Sequence, residues 1–225
     1  MSEASKKPVI AIDGPSGSGK STVSKTLATA LESAYLDTGS MYRAATYAVI
    51  QAGVDTSDAD QVVKTATGAD LKFGTKPEDP FTVVGGEDAS AAIRSEEVTA
   101  AVSAVASQPA VRENLIKMQR GIIAKAKSGI VVEGRDIAEV VAPDADLKVY
   151  LTADPAERAR RRAAETDGDE SSTQASIDKR DKADSKTTRP LEAPEGSHVI
   201  DSTELPIVEV VAKILALLNN RNIDG

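Results

Sequence analysis

A chain of 225 residues can bury one full core and carry a small inserted subdomain, and its 40% hydrophobic and 28% charged content is ordinary for a globular protein. A formal net charge of −8 argues against general affinity for nucleic acid backbone. The absence of cysteine removes disulfides, thiolate metal sites and cysteine nucleophiles, and one histidine, His198, argues against a Ser-His-Asp triad.

The N-terminus, Met-Ser-Glu-Ala-Ser-Lys-Lys, lacks the apolar stretch of a signal peptide, and no run of 18 apolar residues follows. A cytoplasmic protein without membrane association is therefore expected. The first element is a β-branched run, Val9-Ile10-Ala11-Ile12, read as a buried strand. It enters Asp13-Gly14-Pro15-Ser16-Gly17-Ser18-Gly19-Lys20-Ser21-Thr22, and Val23, Leu27, Ala30 and Leu31 then recur at helical spacing, predicting a helix over 20–33. Strand, glycine turn and helix are the setting in which G-x-x-x-x-G-K-[ST] denotes a phosphate-binding loop, with Gly14, Gly19, Lys20 and Ser21 at its fixed positions. Glycines let successive N–H groups curl around a phosphate, and the helix start adds unpaired N–H groups and a positive dipole end. Lys20 can reach the β- and γ-phosphates, and the Ser21 hydroxyl can ligate Mg²⁺. The expected ligand is a nucleoside triphosphate.

A second strand, Tyr35–Leu36, leads into Asp37-Thr38-Gly39-Ser40-Met41-Tyr42-Arg43 and a helix over 40–52. Thr38 and Tyr42, four apart, share a helix side with Arg43 next to them. This set suits a second phosphate; it is equally compatible with a capped helix and a solvated arginine. Between Asp70 and Ile93 the chain predicts a small antiparallel excursion with turns at 76–80 and 85–88. A helix over 110–127 precedes the strand Ile130–Glu133, which ends in Gly134-Arg135-Asp136. Ligands bind at the C-terminal edge of such strands, and Glu133 stands where an acidic residue often supports Mg²⁺. Further strands are expected at Leu147–Leu151 and His198–Ile200, with helices over 155–165 and 206–219. The alternation predicts an α/β fold with five parallel strands and helices on both faces.

The helix over 155–165 carries Arg158, Arg160, Arg161 and Arg162; of these Arg160 reads as solvated. Residues 166–195 are polar with almost no apolar periodicity, and are read as a disordered loop or a mobile lid bringing Arg180, Asp184 and Arg189 to a site. A lid with arginines neutralises charge on a moving phosphoryl group and excludes water. Neither the Asn-Lys-x-Asp element of GTPases nor the Leu-Ser-Gly-Gly-Gln element of transport ATPases occurs. A small-molecule kinase is favoured, with a kinase for another nucleotide or hydroxy acid, or a nucleotide-dependent regulatory protein, as alternatives.

Together, the P-loop, Leu36 to Arg43, Gly86-Glu87-Asp88 with Ile93-Arg94, Gly134-Arg135-Asp136 and Pro143-Asp144-Ala145 resemble the bacterial cytidylate kinases, over Val9 to about Leu218. The resemblance implies a three-layer P-loop kinase core of about 8–37, 104–165 and 196–220. It adds an inserted nucleoside-monophosphate (NMP) binding region of about 38–103 and a mobile lid of about 166–195. It implies γ-phosphate transfer from ATP to CMP or dCMP with Mg²⁺ as cofactor, in a chain expected to be monomeric. ATP falls to residues 14–22 (Gly14, Pro15, Ser16, Gly17, Ser18, Gly19, Lys20, Ser21, Thr22) with Arg158 and Arg162. Thr38, Tyr42, Arg43 and Arg135 fall to the acceptor, chiefly near its phosphate; Ser103, Arg112 and Asp136 to the cytosine; Arg180 and Asp184 to the ribose and transferred phosphate. Lys20, Arg180 and Arg189 are the implied catalytic cations, and Ser21 and Glu133 the metal pair. One departure stands out: the family's lid arginine position is Thr187 here. Arg189, two residues on, is the nearest replacement in sequence; the alternative is Arg158, Arg161 or Arg162 on the preceding helix.

Overall fold

Strand β1 (Val9–Asp13) lies in the middle of a five-stranded parallel sheet. It is flanked on one side by β6 (Ile130–Gly134) and β2 (Ala34–Asp37), and on the other by β7 (Leu147–Thr152) and β8 (His198–Asp201). The computed structural model describes residues 7–166, 169–185, 187–188 and 191–221. Ile10 pairs with Val131 on one side and Leu147 on the other, and Tyr35 pairs with Val131.

The inner strands β6, β1 and β7 are mostly apolar because both sheet faces are covered there, and successive side chains supply two separate cores. From β1, Ile10 and Ile12 join Leu27 of α1 (Lys20–Ala30) and Ile214 of α8 (Ile207–Arg221). Ala11, between them, points the other way, into the core built by Met41 and Val49 of α2 (Thr38–Gln51) and Leu115 of α5 (Pro109–Lys125). In β6, Val131 goes with the first core and Ile130 and Val132 with the second.

The five expected strands stand where the sequence puts them, within a residue at each end. The excursion after Asp70 is a three-stranded antiparallel sheet of β3 (Leu71–Phe73), β4 (Thr82–Val84) and β5 (Glu87–Asp88). Gly85 and Gly86, both at positive φ, make the tight turn between the last two. Two further helices, α3 (Ala59–Gly68) and α4 (Glu96–Ala106), flank this sheet. A domain boundary at 103 would fall inside α4, which packs on α2.

The largest difference lies in the segment expected to be a loop or lid. After α6 (Pro155–Thr166) the chain forms α7 (Glu170–Asp184), packed on α6. The buried positions of α7 include Ile177 and Asp181, four apart on one face. Half of that buried pair is a carboxylate, so apolar periodicity cannot reveal the helix. No helix among the described residues is long and apolar enough to cross a membrane.

Candidate functional site

One cavity opens along the C-terminal edge of the sheet, where β1, β2 and β6 end. The crossover that leaves β1 runs to β2 on one side and the one that leaves β6 runs to β7 on the other, so the direction switches between these neighbouring strands, the natural ligand crevice of an open α/β sheet. At one end lies the loop between β1 and α1. Gly14 has φ 151°, and a Cβ there would stand 2.1 Å from the Leu151 carbonyl oxygen; at Gly17 it would stand 2.5 Å from the Arg158 carbonyl oxygen. The loop path is therefore open only to glycine.

Helix α1 starts after Gly19 in the left-handed region, with no side chain capping it. Helices α2, α3 and α4, by contrast, are capped by Asp37, Asp58 and Ser95. The first N–H groups of α1 thus remain for an anion. Lys20 Nζ folds over the loop and donates to the Pro15 carbonyl at 2.6 Å. Ser18 donates to the same carbonyl, and Ser202 reaches the Ser18 carbonyl. Asp13, just ahead of the loop, accepts from the backbone N–H groups of Ile137 and Ala138, both at 2.8 Å, tying the loop's root to the turn after β6. Burial pushes its carboxyl up to about 6.

Ser21 Oγ donates to Glu133 Oε2 at 3.1 Å, and the Tyr35 hydroxyl donates to Glu133 Oε1. Burial, then the negative charge of Asp37, raises the Glu133 carboxyl to about 7. A carboxylate that resists ionisation beside a hydroxyl and a P-loop is a place that would accept a hard cation. Thr38 Oγ1 donates to the Glu133 carbonyl at 2.7 Å, and a Cβ on Gly134 would strike that hydroxyl oxygen at 2.5 Å.

Arg43 is buried and donates to the Ile93 carbonyl and Thr99 Oγ1 at 3.0 and 2.9 Å, so the solvated alternative does not hold. At the far end Arg112 of α5 is ion-paired with Asp136, and its guanidinium lies over the Tyr42 ring, 5.9 Å from the centroid. Tyr42 lines the cavity, and its hydroxyl oxygen is buried without a hydrogen-bond partner among the described residues.

Between the two ends stands α7. Asp181 accepts from Arg135 at 3.1 Å, from Arg158 at 2.8 Å and, more weakly, from the Ser16 N–H at 3.4 Å. Asp184 pairs with Arg135 at 3.2 Å and accepts from Ser103 Oγ at 2.9 Å. Asp181 is not singled out by the sequence reading; its part in the site is visible only once its arginines are placed. Arg161 clamps Ser202 and Thr203 behind the loop, whereas Arg162 lines the cavity with Thr22 and Thr187. Arg160 is exposed and donates to both carboxylate oxygens of Glu157 at 2.7 Å. The side chain of Arg180 and the whole of Arg189 lie outside the described residues. Of the expected residues, the structure thus brings the P-loop, Thr38, Tyr42, Arg43, Ser103, Arg112, Glu133, Arg135, Asp136, Arg158, Arg162 and Asp184 around one crevice.

A family model described as cytidylate kinase matches residues 10–220. A cytidylate kinase of Streptomyces griseus is 45% identical over 96% of this chain and 94% of its own length. One of Mycobacterium avium is 45% identical over 95% of this chain and 96% of its own. A crystal structure of an uncharacterised protein from Eubacterium ventriosum superposes with a TM-score of 0.55 at 14% identity, covering 96% of this chain and 99% of that one, a likeness of fold alone.

Proposed function

The chain belongs to the cytidylate kinase family and is an ATP-dependent kinase of CMP and dCMP; we propose that the two substrates meet end to end in this one crevice. ATP lies on residues 14–22, its β- and γ-phosphates held by the open N–H groups of α1 and by Lys20, with Arg158 and Arg162 beside them. CMP lies between α2 and α5. An oxygen of its phosphate attacks the γ-phosphorus, the bond from that phosphorus to the β–γ bridging oxygen breaks, and ADP leaves with the electron pair.

The observation that carries the reading is the Arg112–Asp136 pair at the far end of the P-loop cavity. A cytosine edge offers an amino donor at N4 and acceptors at N3 and O2, which a carboxylate and a guanidinium match when they part to admit it. Uracil reverses positions 3 and 4 and sets oxygen against the carboxylate. Arg43, Arg135, Thr38 and Tyr42 line the path from base to phosphate. Anion binding at Arg135 exchanges its pairing with Asp181 and Asp184, which makes α7 the element that responds to substrate.

Ser21 and Glu133 are the residues that would hold Mg²⁺, since both are hard oxygen donors, 3.1 Å apart, at the phosphate end. The ion supplies charge neutralisation at the β- and γ-phosphate oxygens. We divide the chain into a core of 8–37, 107–165 and 196–220, an NMP-binding region of 38–106 that keeps α4 whole, and a lid of 166–195. Arg180 and Arg189 of the lid are the proposed catalytic cations. Arg189→Ala should lower kcat far more than it raises either KM; a normal kcat there with a collapse in Arg162→Ala would move the role to α6.

ADP release with ATP against CMP, dCMP, UMP, AMP and shikimate tests the whole reading. CMP and dCMP should be turned over, and comparable turnover of any other acceptor overturns it.

A further inference from the structure

Gln119 of α5 is fully buried, and neither its amide oxygen nor its amide nitrogen has a hydrogen-bond partner among the described residues. Burying such a group unsatisfied costs about 1–3 kcal/mol. An apolar residue would fill the place better, since Val111 and Leu115 of the same helix are fully buried core side chains. Nor is the amide needed to dock the helix. Its neighbour Arg120 does that, donating to the Val141 and Val140 carbonyls at 3.2 and 2.6 Å and so fixing α5 against the turn Ile137–Val141.

The second orphan is the Tyr42 hydroxyl, on the facing helix α2. Burial pushes this phenol up to about 12, opposed by the Arg112 charge and by the Gln119 amide, which lies near enough to act on the phenol oxygen. Gln119 is seven residues from Arg112, two helical turns along the same face. Tyr42 therefore spans the gap between them: its hydroxyl end meets Gln119, and its ring carries the Arg112 guanidinium at 5.9 Å. Two orphan polar groups side by side, one attached to a ring that supports the base-reading arginine, form a chain from the core to the acceptor site.

We propose that Gln119 is a positioning residue for CMP, holding the Tyr42 ring by its hydroxyl so that Arg112 is presented to the cytosine once its pairing with Asp136 opens. The proposal rests on the reading of Arg112 and Asp136 as the base site. Gln119 itself touches no substrate. Its amide, already within reach of the Tyr42 hydroxyl, closes a well-formed hydrogen bond with it when the base is seated, so most of the cost of the buried pair is recovered in the complex.

Gln119→Met, close in volume and shape but without the amide, tests this in the full chain. Its KM for CMP, and the Kd for CMP measured by calorimetry without ATP, should rise about tenfold, with kcat within about twofold, KM for ATP unchanged and Tm equal or higher. A merely structural amide would lower Tm and leave the CMP-to-ATP difference untouched. In a Tyr42→Phe background, Gln119→Met should add less than about twofold, because the two residues act through one bond. An unchanged CMP affinity, a parallel rise in KM for ATP, or a full tenfold addition in the Tyr42→Phe background overturns the proposal. If Gln119→Met does not fold, Gln119→Leu carries the same expectations, and failure of both to fold assigns the amide to stability and overturns it too. Asp136→Asn separates the premise from the inference. If it leaves the preference for CMP over UMP unchanged, the base-site reading has failed; if the preference drops while Gln119→Met is silent, only the role of Gln119 has.

Discussion

At the P-loop the cavity-side polar groups are uncapped backbone amides and one lysine; across the cavity, on α7, they are carboxylates engaged with Arg135 and Arg158. The first region holds its shape by local rules. Gly14 and Gly17 have no room for a Cβ, and the path from β1 into α1 is set within a dozen residues. The second holds its shape by a balance of charge drawn from distant positions, with Asp181 meeting a loop more than a hundred residues earlier in the chain. A backbone cradle remains intact whatever else moves, whereas an arginine–carboxylate junction is exchangeable, because a phosphate offers a guanidinium the same bidentate acceptor that a carboxylate does. A fixed cradle facing an exchangeable junction is what the proposed transfer between two phosphates requires.

The comparison is broken most severely at the fixed side. Lys20→Met should lower kcat about 10³-fold without loss of folded protein, since the ammonium acts on transferring charge and packs against no core. Steady-state rates with CMP, alongside an unchanged far-UV spectrum, check it.

On the exchangeable side, Asp181→Ala leaves the buried Arg158 and the largely buried Arg135 without their shared carboxylate, a loss of about 3–5 kcal/mol for a broken buried pair. Because the lost contacts join α7 to the core, the damage should be local. Amide exchange in α7 should quicken at least about tenfold while that of α1 stays as it was. Equal acceleration in both helices would show that the two regions are not separable.

The root of the P-loop sharpens the contrast through pH. Asp13 has its carboxyl raised from 3.8 to about 6, chiefly by burial, so the folded state keeps a proton that the unfolded chain gives up. Its contribution is present below about pH 4 and is lost as the pH rises through 6, by about 3 kcal/mol at most. Asp13→Asn should reduce the slope of Tm between pH 4 and 7, leaving the part that Glu133, raised to about 7, supplies. A slope that persists unchanged would place the titration elsewhere.

The smallest effect belongs to Arg160, whose pairing with Glu157 lies at the surface of α6. Arg160→Ala should shift stability by less than about 0.5 kcal/mol and leave kcat unchanged, in thermal melts and rate assays.

How much of this was legible without coordinates differs along the chain for physical reasons. The sheet, its two-faced burial and the P-loop follow from short-range patterns: β-branched runs that can only be buried strands, and glycines that only one loop path requires. The antiparallel insert was legible from its turns, and α4 could have been found from Ser95, two glutamates in the first turn, and Val98, Val102 and Val105 on one face. Helix α7 could not be found in that way, because its buried face carries Asp181 as well as Ile177, and a buried carboxylate reads as solvent-facing until its arginines are known. Charge pairing of that kind, like the orphan amide of Gln119 behind Tyr42, has no period and no motif. The sequence by itself determined the fold class, the phosphate loop and the family, since each depends on groups close together in the chain. The tertiary structure alone decided which arginine meets which carboxylate, since that depends on where separate strands and helices end in space.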